Sequence, residues 1–397
     1  MQKNGWLVGC AQTGCLGYWQ AAKKTSNLAL TFIKPHVVGK CKYLAFRDVR
    51  LTDLQDLPFY CVAKESDVST DEAKKYWIGF DLGGTKMQCT LYDEELKSVA
   101  DRRKRTKGEQ GVETGLQRIE STISKLLQET EISVEQLVGI GIGCPGPVEW
   151  EKGSVRVAVN LGWENVAVGS FLEDKFQCPV AVLNDVDAGV YGEHIGGAGR
   201  DARTTFGLFP GTGIGGGCVY DGQILRGKAL SAMEFGHIKI SASEREGATG
   251  MTGTLESEAS RLSIAGELAK LSYRGEAPHL NSLVGTELGA IRSKVIAESI
   301  AQGDKAVKQV LVKACEQLGY AVSNAVLMLC PDCVVLGGGL VEAMPELFVD
   351  EVSRVAREHV FECYRDEFVV KAAELGDDAA TLGAAAWIQK LCNGTEG

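Results

Sequence analysis

The chain has 397 residues, of which 45% are apolar and 24% charged, and its net charge is −10. That length suits two or three domains, or two lobes around a cleft, with a sizeable buried core, while the negative charge argues against broad binding to nucleic acid or an anionic membrane. Thirteen scattered cysteines, an odd number, argue against a secreted disulfide framework and for reduced thiols in a cytoplasmic protein, and no apolar run approaches the roughly 18 residues that span a bilayer.

Residues 1–75 hold four cysteines (Cys10, Cys15, Cys41, Cys61), eleven Lys/Arg and seven Asp/Glu. Their periodicity is poor. Three readings stand for them: an irregular extension translated from upstream of the true start, a small DNA-binding domain, or a structured appendage. The first is the expectation. The opening stretch has too little apolar length for a signal peptide, and no helix-turn-helix pattern with its turn glycine is visible.

The ordered body is expected from Lys75. The strand-like run Tyr76–Phe80 leads into Asp81-Leu82-Gly83-Gly84-Thr85-Lys86, and a second strand follows. Strand, glycine turn, strand is a hairpin, and no GxxxxGK[ST] loop exists in the chain. The turn either brings the Gly84 and Thr85 amides to a phosphate, with Asp81 near a hydrated metal ion, or is a plain β-turn. Apolar residues at helical spacing predict a helix over 111–130. A strand over 138–150 ends in the stiff Pro145-Gly146-Pro147 turn. Asn160 follows on a loop, as a turn former or as the wall of a sugar pocket. The buried strand 179–183 ends in Asn184-Asp185 and opens onto a helix over 186–194. Open α/β sheets place ligands at such strand ends, so Asp185 reads either as an N-cap or as a general base.

The stretch 206–240 organises the rest. FGLF runs into the glycine turn 211–217, CVY follows, and Glu234 and His237 lie downstream. Bare backbone amides suit an anion, and the polar pair suits a neutral ligand. Helices are expected over 257–270, 287–301 and 304–329, the last with a long apolar stripe. The strand 332–336 turns through Gly337-Gly338-Gly339 into a helix after Pro345, a further place for close approach of a ligand. A last strand, 367–375, leads to a C-terminal helix over 378–392.

The glycine turns occur twice in similar settings, which suggests two related lobes clamping a nucleotide. The pattern resembles the α/β, two-lobed actin-like ATPase (ribonuclease H-like) fold with a cleft between its lobes. The combination DLGGTK at 81–86, CPGPV at 144–148, ND at 184–185, GTGIGGG at 211–217, EFGH at 234–237 and LGGGL at 336–340 resembles the ROK family, specifically its glucokinase-like sugar kinases. That resemblance implies a domain layout of 1–75 as an extension, 76–185 as the N-terminal lobe, 186–376 as the C-terminal lobe, and 377–397 as a helix returning to the first lobe. It implies ATP-dependent phosphorylation of a hexose, glucose first, with Asp185 as the base. Asn160, Asn184, Asp185, Glu234, His237 and Glu256 match sugar-contacting positions. Gly83, Gly84, Thr85, Lys86, Thr212 and Gly213 match the phosphate hairpins, and Gly338 and Gly339 the adenosine side. Asp81 matches the acidic residue near magnesium, reached through water. A homodimer or homotetramer without nucleic acid is implied, and a sugar-responsive ROK repressor is the alternative.

Two departures from the family pattern stand out. The zinc pattern CxCGxxGCxE of many members falls on 247–256, where Gly247, Thr249 and Thr254 occupy the cysteine positions. None supplies a thiolate, so no zinc is expected. His237 is then expected to be free for the sugar, and threonine hydroxyls to hold the loop. Asp187 stands where the family commonly has Asn; two residues from Asp185 on a helix, it is expected to face elsewhere.

Overall fold

The computed structural model describes residues 74–394 except Ala248 and, within the first 73 residues, the backbone of three strands. The chain divides into two compact units, Met1–Ser69 and Thr70–Gly397. In the first, β1 (Gly5–Gly9), β2 (Leu16–Lys24) and β3 (Asn27–Phe32) form an antiparallel sheet in that order. The remainder of the expected extension, and the choice among its three readings, lies outside the described residues.

The second unit opens where the apolar pattern predicts. β4 (Tyr76–Leu82) and β5 (Lys86–Tyr92) form a hairpin across Gly83-Gly84-Thr85, and β6 (Ser98–Arg105) adds an edge. β6 was not expected, because it carries Arg102, Arg103, Lys104 and Arg105 instead of an apolar face. Charge of this kind suits a sheet edge, where it discourages pairing with another chain. α1 (Val112–Glu129) buries Ile119, Ile123, Leu126 and Leu127. β7 (Leu137–Cys144) pairs parallel to β4.

The expected strand over 138–150 is broken in two, as its prolines dictate. β8 (Val148–Glu149), β9 (Ser154–Ala158) and β10 (Trp163–Val166) form a separate small antiparallel sheet. α2 (Val168–Phe176) then leads to β11 (Val180–Asn184), which completes the first five-stranded sheet in the order β11-β7-β4-β5-β6.

α3 (Asp185–Gly196) crosses to the second lobe. There β12 (Thr204–Pro210), β13 (Ile214–Tyr220) and β14 (Gln223–Ile224) form a meander. A helical layer follows: α4 (Leu255–Ala259), α5 (Arg261–Tyr273), α6 (Pro278–Val284), α7 (Ser293–Ala301) and α8 (Lys305–Leu329). The helix expected over 257–270 is two helices, because Ser260 takes an extended conformation and its side chain accepts from the Ser263 amide. The one expected over 287–301 begins only at Ser293, and α6 lies ahead of it. β15 (Cys333–Leu336), α9 (Gly339–Ala343), α10 (Pro345–Glu358) and β16 (Val369–Ala372) complete the second sheet, in the order β14-β13-β12-β15-β16.

α11 (Ala379–Gly394) packs on the first sheet. A Cβ on Gly79 of β4 would lie 1.8 Å from the Thr381 carbonyl, and one on Gly141 of β7 1.9 Å from that of Ala384. α11 in turn meets α3 backbone to backbone: a Cβ on Gly383 would lie 1.8 Å from the Ala188 carbonyl. α3 packs on the second sheet through Val186 and Val190, the latter 2.1 Å from where a Gly207 Cβ would be. The layers are therefore sheet, α11, α3, sheet. This stack sets the first and second sheets on either side of one helix pair.

Candidate active site

β4, β7 and β11 are parallel and end at one level. Asp81 lies opposite Gly143, and Cys144 lies opposite Asn184. Asp81 and Asp185 thus stand at the carboxyl ends of the first sheet's central strands, where open sheets bind ligands. Gly143 between them makes room, since a Cβ there would come within 3.3 Å of the Asp185 Cα. The N-cap of α3 is Asn184, whose Oδ1 accepts from the Val186 and Asp187 amides at 2.9 and 3.1 Å. Its Nδ2 donates to the Gly146 carbonyl at 3.1 Å. Asp185 therefore is not the cap; its Oδ1 accepts from the Val186 amide at 2.9 Å.

Burial pushes the pKa of Asp185 up to about 7, and the charge of Asp81 adds to the shift. Burial likewise pushes Asp81 up to about 6, opposed by Lys86 and assisted by Asp377. A carboxylate in a poorly solvated place with another carboxylate nearby behaves this way. Asp187 is 3% exposed and is pushed by burial up to about 7, with a hydrogen bond from Ser231 opposing and Glu234 and Asp185 adding. It faces the 226–234 segment, as expected from helix geometry, yet it is not remote from Asp185. Its Oδ1 has no partner among the described residues.

That segment clasps the first lobe. The Arg226 guanidinium lies 3.7 Å from the Trp150 ring centre and 5.0 Å from that of Trp387. Trp150 Nε1 donates to the Gly227 carbonyl at 3.0 Å, and Glu149 bridges to Leu230.

In the first hairpin, Thr106 fixes the turn. Its Oγ1 donates to the Gly83 carbonyl at 2.6 Å and its amide to that of Thr85 at 2.8 Å. Lys86 forms an ion pair with Asp377 at 2.5 Å, and Arg103 reaches the same carboxylate at 3.2 Å. Asn160 sits beside this hairpin, its Cβ 3.1 Å from where a Gly84 Cβ would be.

The second hairpin is tighter than the sequence implied. The Gly211 amide donates to the Gly213 carbonyl at 2.8 Å and strand β13 resumes at Ile214. Gly215, Gly216 and Gly217 are thus strand residues. Their missing side chains admit Val186, the Met233 carbonyl and Val190, each within 3 Å of a would-be Cβ. Glu256 Oε2 accepts from the Ile214 amide at 3.1 Å. Arg261 holds the other side, its amide donating to the Gly211 carbonyl at 3.0 Å and Nη2 to Thr212 Oγ1 at 2.8 Å. Gly338, at φ 84°, abuts the same hairpin, because a Cβ there would lie 3.0 Å from the Pro210 carbonyl. Gly339 opens α9 beside it.

Glu234 is exposed and His237 half-buried on a short turn, with Oε2 and Nε2 4.0 Å apart. His237 Nδ1 is buried without a partner among the described residues. The loop that follows is held by bridges between Lys239 and Thr254 and between Glu246 and Thr252. Thr254 Oγ1 accepts from the Ser257 amide at 3.2 Å and caps α4. Arg245 ties the loop to Glu267 at 3.0 Å and to Glu258 at 3.8 Å.

Sequence reasoning missed Asp377, Trp150, Arg226 and Arg261. Each acts through a partner tens of residues or more away, and no local pattern marks it.

The family model described as ROK family matches residues 77–391. A glucokinase of Halalkalibacterium halodurans is 30% identical over 328 residues, 80% of this chain and 95% of that protein. A xylose repressor of Caldicellulosiruptor bescii is 27% identical over 311 residues, 78% of this chain and 77% of the repressor. The crystal structure of a ROK family glucokinase from Streptomyces griseus in complex with glucose and AMPPNP is similar with a TM-score of 0.67 at 27% identity, over 79% of this chain and 98% of that one. The fold is accordingly the two-lobed actin-like ATPase fold. Glycine hairpins, paired strand-end carboxylates and matched sequence span nearly the whole second unit, and on that ground the chain belongs to the ROK family.

Proposed function

We propose that this chain is an ATP-dependent sugar kinase that phosphorylates a hexose hydroxyl, glucose first among candidates, with Asp185 as general base. The observation that supports this most is Asp185 itself: a carboxylate outside the helix cap, at a strand end, with its pKa pushed up to about 7. A base is most effective when its pKa lies near the working pH. Asp185 takes the hydroxyl proton as the sugar oxygen bonds to the γ-phosphorus. The bond from that phosphorus to the β–γ bridging oxygen breaks, and ADP leaves with the electron pair. Such a reaction depends mostly on positioning and charge stabilisation.

Glu234 and His237 offer an acceptor and a ring nitrogen to sugar hydroxyls, with Asn160, Asn184 and Glu256 as the further contacts. Asn184 is a capping residue as well, and Glu256 also holds the second hairpin. Gly83, Gly84, Thr85, Thr212 and Gly213 line the phosphates, Lys86 adds charge, and Gly338 and Gly339 face the nucleoside. Asp81, a hard oxygen donor at a strand end, fits magnesium. Asp81 would hold it through water, and the bound ion would offset charge on the phosphates. Zinc does not fit. Gly247, Thr249 and Thr254, at the cysteine positions of the zinc pattern, offer no thiolate.

A coupled ADP-release assay with MgATP across a hexose panel tests the reading. Turnover on at least one hexose is expected. The similarity to a xylose repressor supports a second reading, a sugar-responsive regulator. Specific operator binding without turnover on any sugar would replace the first reading with the second.

A further inference from the structure

The α4–α5 corner grips the second hairpin from two sides. Glu256 takes the Ile214 amide, and Arg261, the first residue of α5, takes the Gly211 carbonyl with its own amide. The same grip leaves no room for a side chain at Gly213: a Cβ there would stand 2.3 Å from Glu256 Oε2. The corner is tied internally by hydrogen bonds. Ser260 caps α5 through the Ser263 amide at 3.2 Å, and Ser263 Oγ returns to the Glu256 carbonyl at 3.1 Å.

The Arg261 side chain is not needed for this grip, since its backbone already supplies the bond to Gly211. Its guanidinium nevertheless lies on the hairpin, with Nη2 2.8 Å from Thr212 Oγ1. Among the described residues it forms no ion pair with any carboxylate. A guanidinium has five N–H donors in a planar fork that matches phosphate oxygens, and Thr212 accounts for one of them. Lys86, the cation of the first hairpin, is by contrast already paired with Asp377.

We infer that Arg261 binds the terminal phosphates of the nucleoside triphosphate, with Thr212 orienting its guanidinium. This rests on the kinase reading for the identity of the ligand. The role is separate from that of Asp185, which acts on the hydroxyl. Charge-assisted contacts of this kind are worth about tenfold to a hundredfold in affinity.

The test compares the full-length wild type with Arg261→Ala, Arg261→Lys and Thr212→Val. AMPPNP affinity is measured by calorimetry with magnesium present, and the KM for ATP, the KM for hexose and kcat by the coupled assay. Arg261→Ala is expected to weaken AMPPNP and raise the ATP KM about tenfold to a hundredfold, with the hexose KM and the melting temperature little changed. Arg261→Lys should recover part of the loss, and Thr212→Val should show a smaller loss of the same kind. An unchanged ATP KM and AMPPNP affinity in Arg261→Ala overturns the inference. So does a joint rise of both KM values with a lower melting temperature, which marks a purely structural role. If the wild type phosphorylates no sugar, the kinase reading falls, and AMPPNP affinity alone decides. Weaker binding by Arg261→Ala then upholds the phosphate contact, and no binding by the wild type ends it.

Discussion

Asp185→Asn separates the chemistry from the architecture. The amide keeps the size of the carboxylate, and its oxygen can still accept from the Val186 amide, 2.9 Å away in the wild type. Asn184 continues to cap α3. On the proposed reading the substitution removes the base, with an expected loss of about 10²–10⁴-fold in kcat, while hexose affinity stays nearly constant. The pH dependence carries a second signature. With a pKa near 7, about half of Asp185 is ionised at pH 7 and about a tenth at pH 6. Wild-type kcat/KM, which reports the free enzyme, should therefore fall about tenfold per unit on the acid side.

Stability should move the other way. The folded pKa of Asp185 lies above its ordinary value of 3.8, so the folded state binds the extra proton between about pH 4 and pH 7. Wild-type stability is lost as pH rises through that window, by at most about 4 kcal/mol for a shift of roughly three units. Asp81 and Asp187 titrate with it and spread the loss across the group. Asp185→Asn lacks this term and should match the wild type near pH 4 but melt higher above pH 7. ADP release between about pH 5 and 8.5, and melts at both ends of that range, make the measurement. Turnover by the variant within about tenfold of the wild type, or a kcat/KM flat down to pH 5, would refute the reasoning.

Three further outcomes are expected. Glu256→Ala leaves the buried Ile214 amide without its acceptor, a cost of about 1–3 kcal/mol, and should raise the KM for ATP as well as for hexose; an unmoved ATP KM removes Glu256 from the hairpin. Gly383→Ala forces a Cβ onto the Ala188 carbonyl and should cost about 3 kcal/mol or more by urea unfolding, whereas Gly266→Ala, with nothing within 4 Å inside α5, should gain about 0.5–1 kcal/mol. Equal effects of the two would contradict the close helix contact. Activity in the coupled assay should require magnesium, and elemental analysis of purified protein should find no stoichiometric zinc; one zinc per chain would show that the 247–256 loop finds ligands elsewhere.

Much of the candidate site could be located along the chain because its signals are local. Asp81 and Asp185 end apolar runs, and the glycine turns interrupt strands. α1 and α8 announce themselves by periodicity, since one face of each is buried. β6 was hidden because its arginines and lysines blur the alternation that marks a half-buried strand. α4 and α5 looked like one helix because Ser260 breaks them through a conformation and not through a proline or glycine. Gly215, Gly216 and Gly217 misled for a related reason: the same residue serves a turn and a close approach, and only the neighbour decides which.

By itself the sequence determined the order of the elements, the two glycine hairpins, the strand-end carboxylates and the loss of the zinc thiolates, all of which follow from residue type and spacing along the chain. Only the tertiary structure decided that Asn184 and not Asp185 caps α3, that Lys86 is paired with Asp377, that Arg226 bridges Trp150 and Trp387, and that Arg261 lies on Thr212. These depend on which surfaces the stack of sheet, helix, helix and sheet brings within a few ångströms. The energies of burial and charge pairing fall off over those distances, whereas the sequence records only separation along the chain.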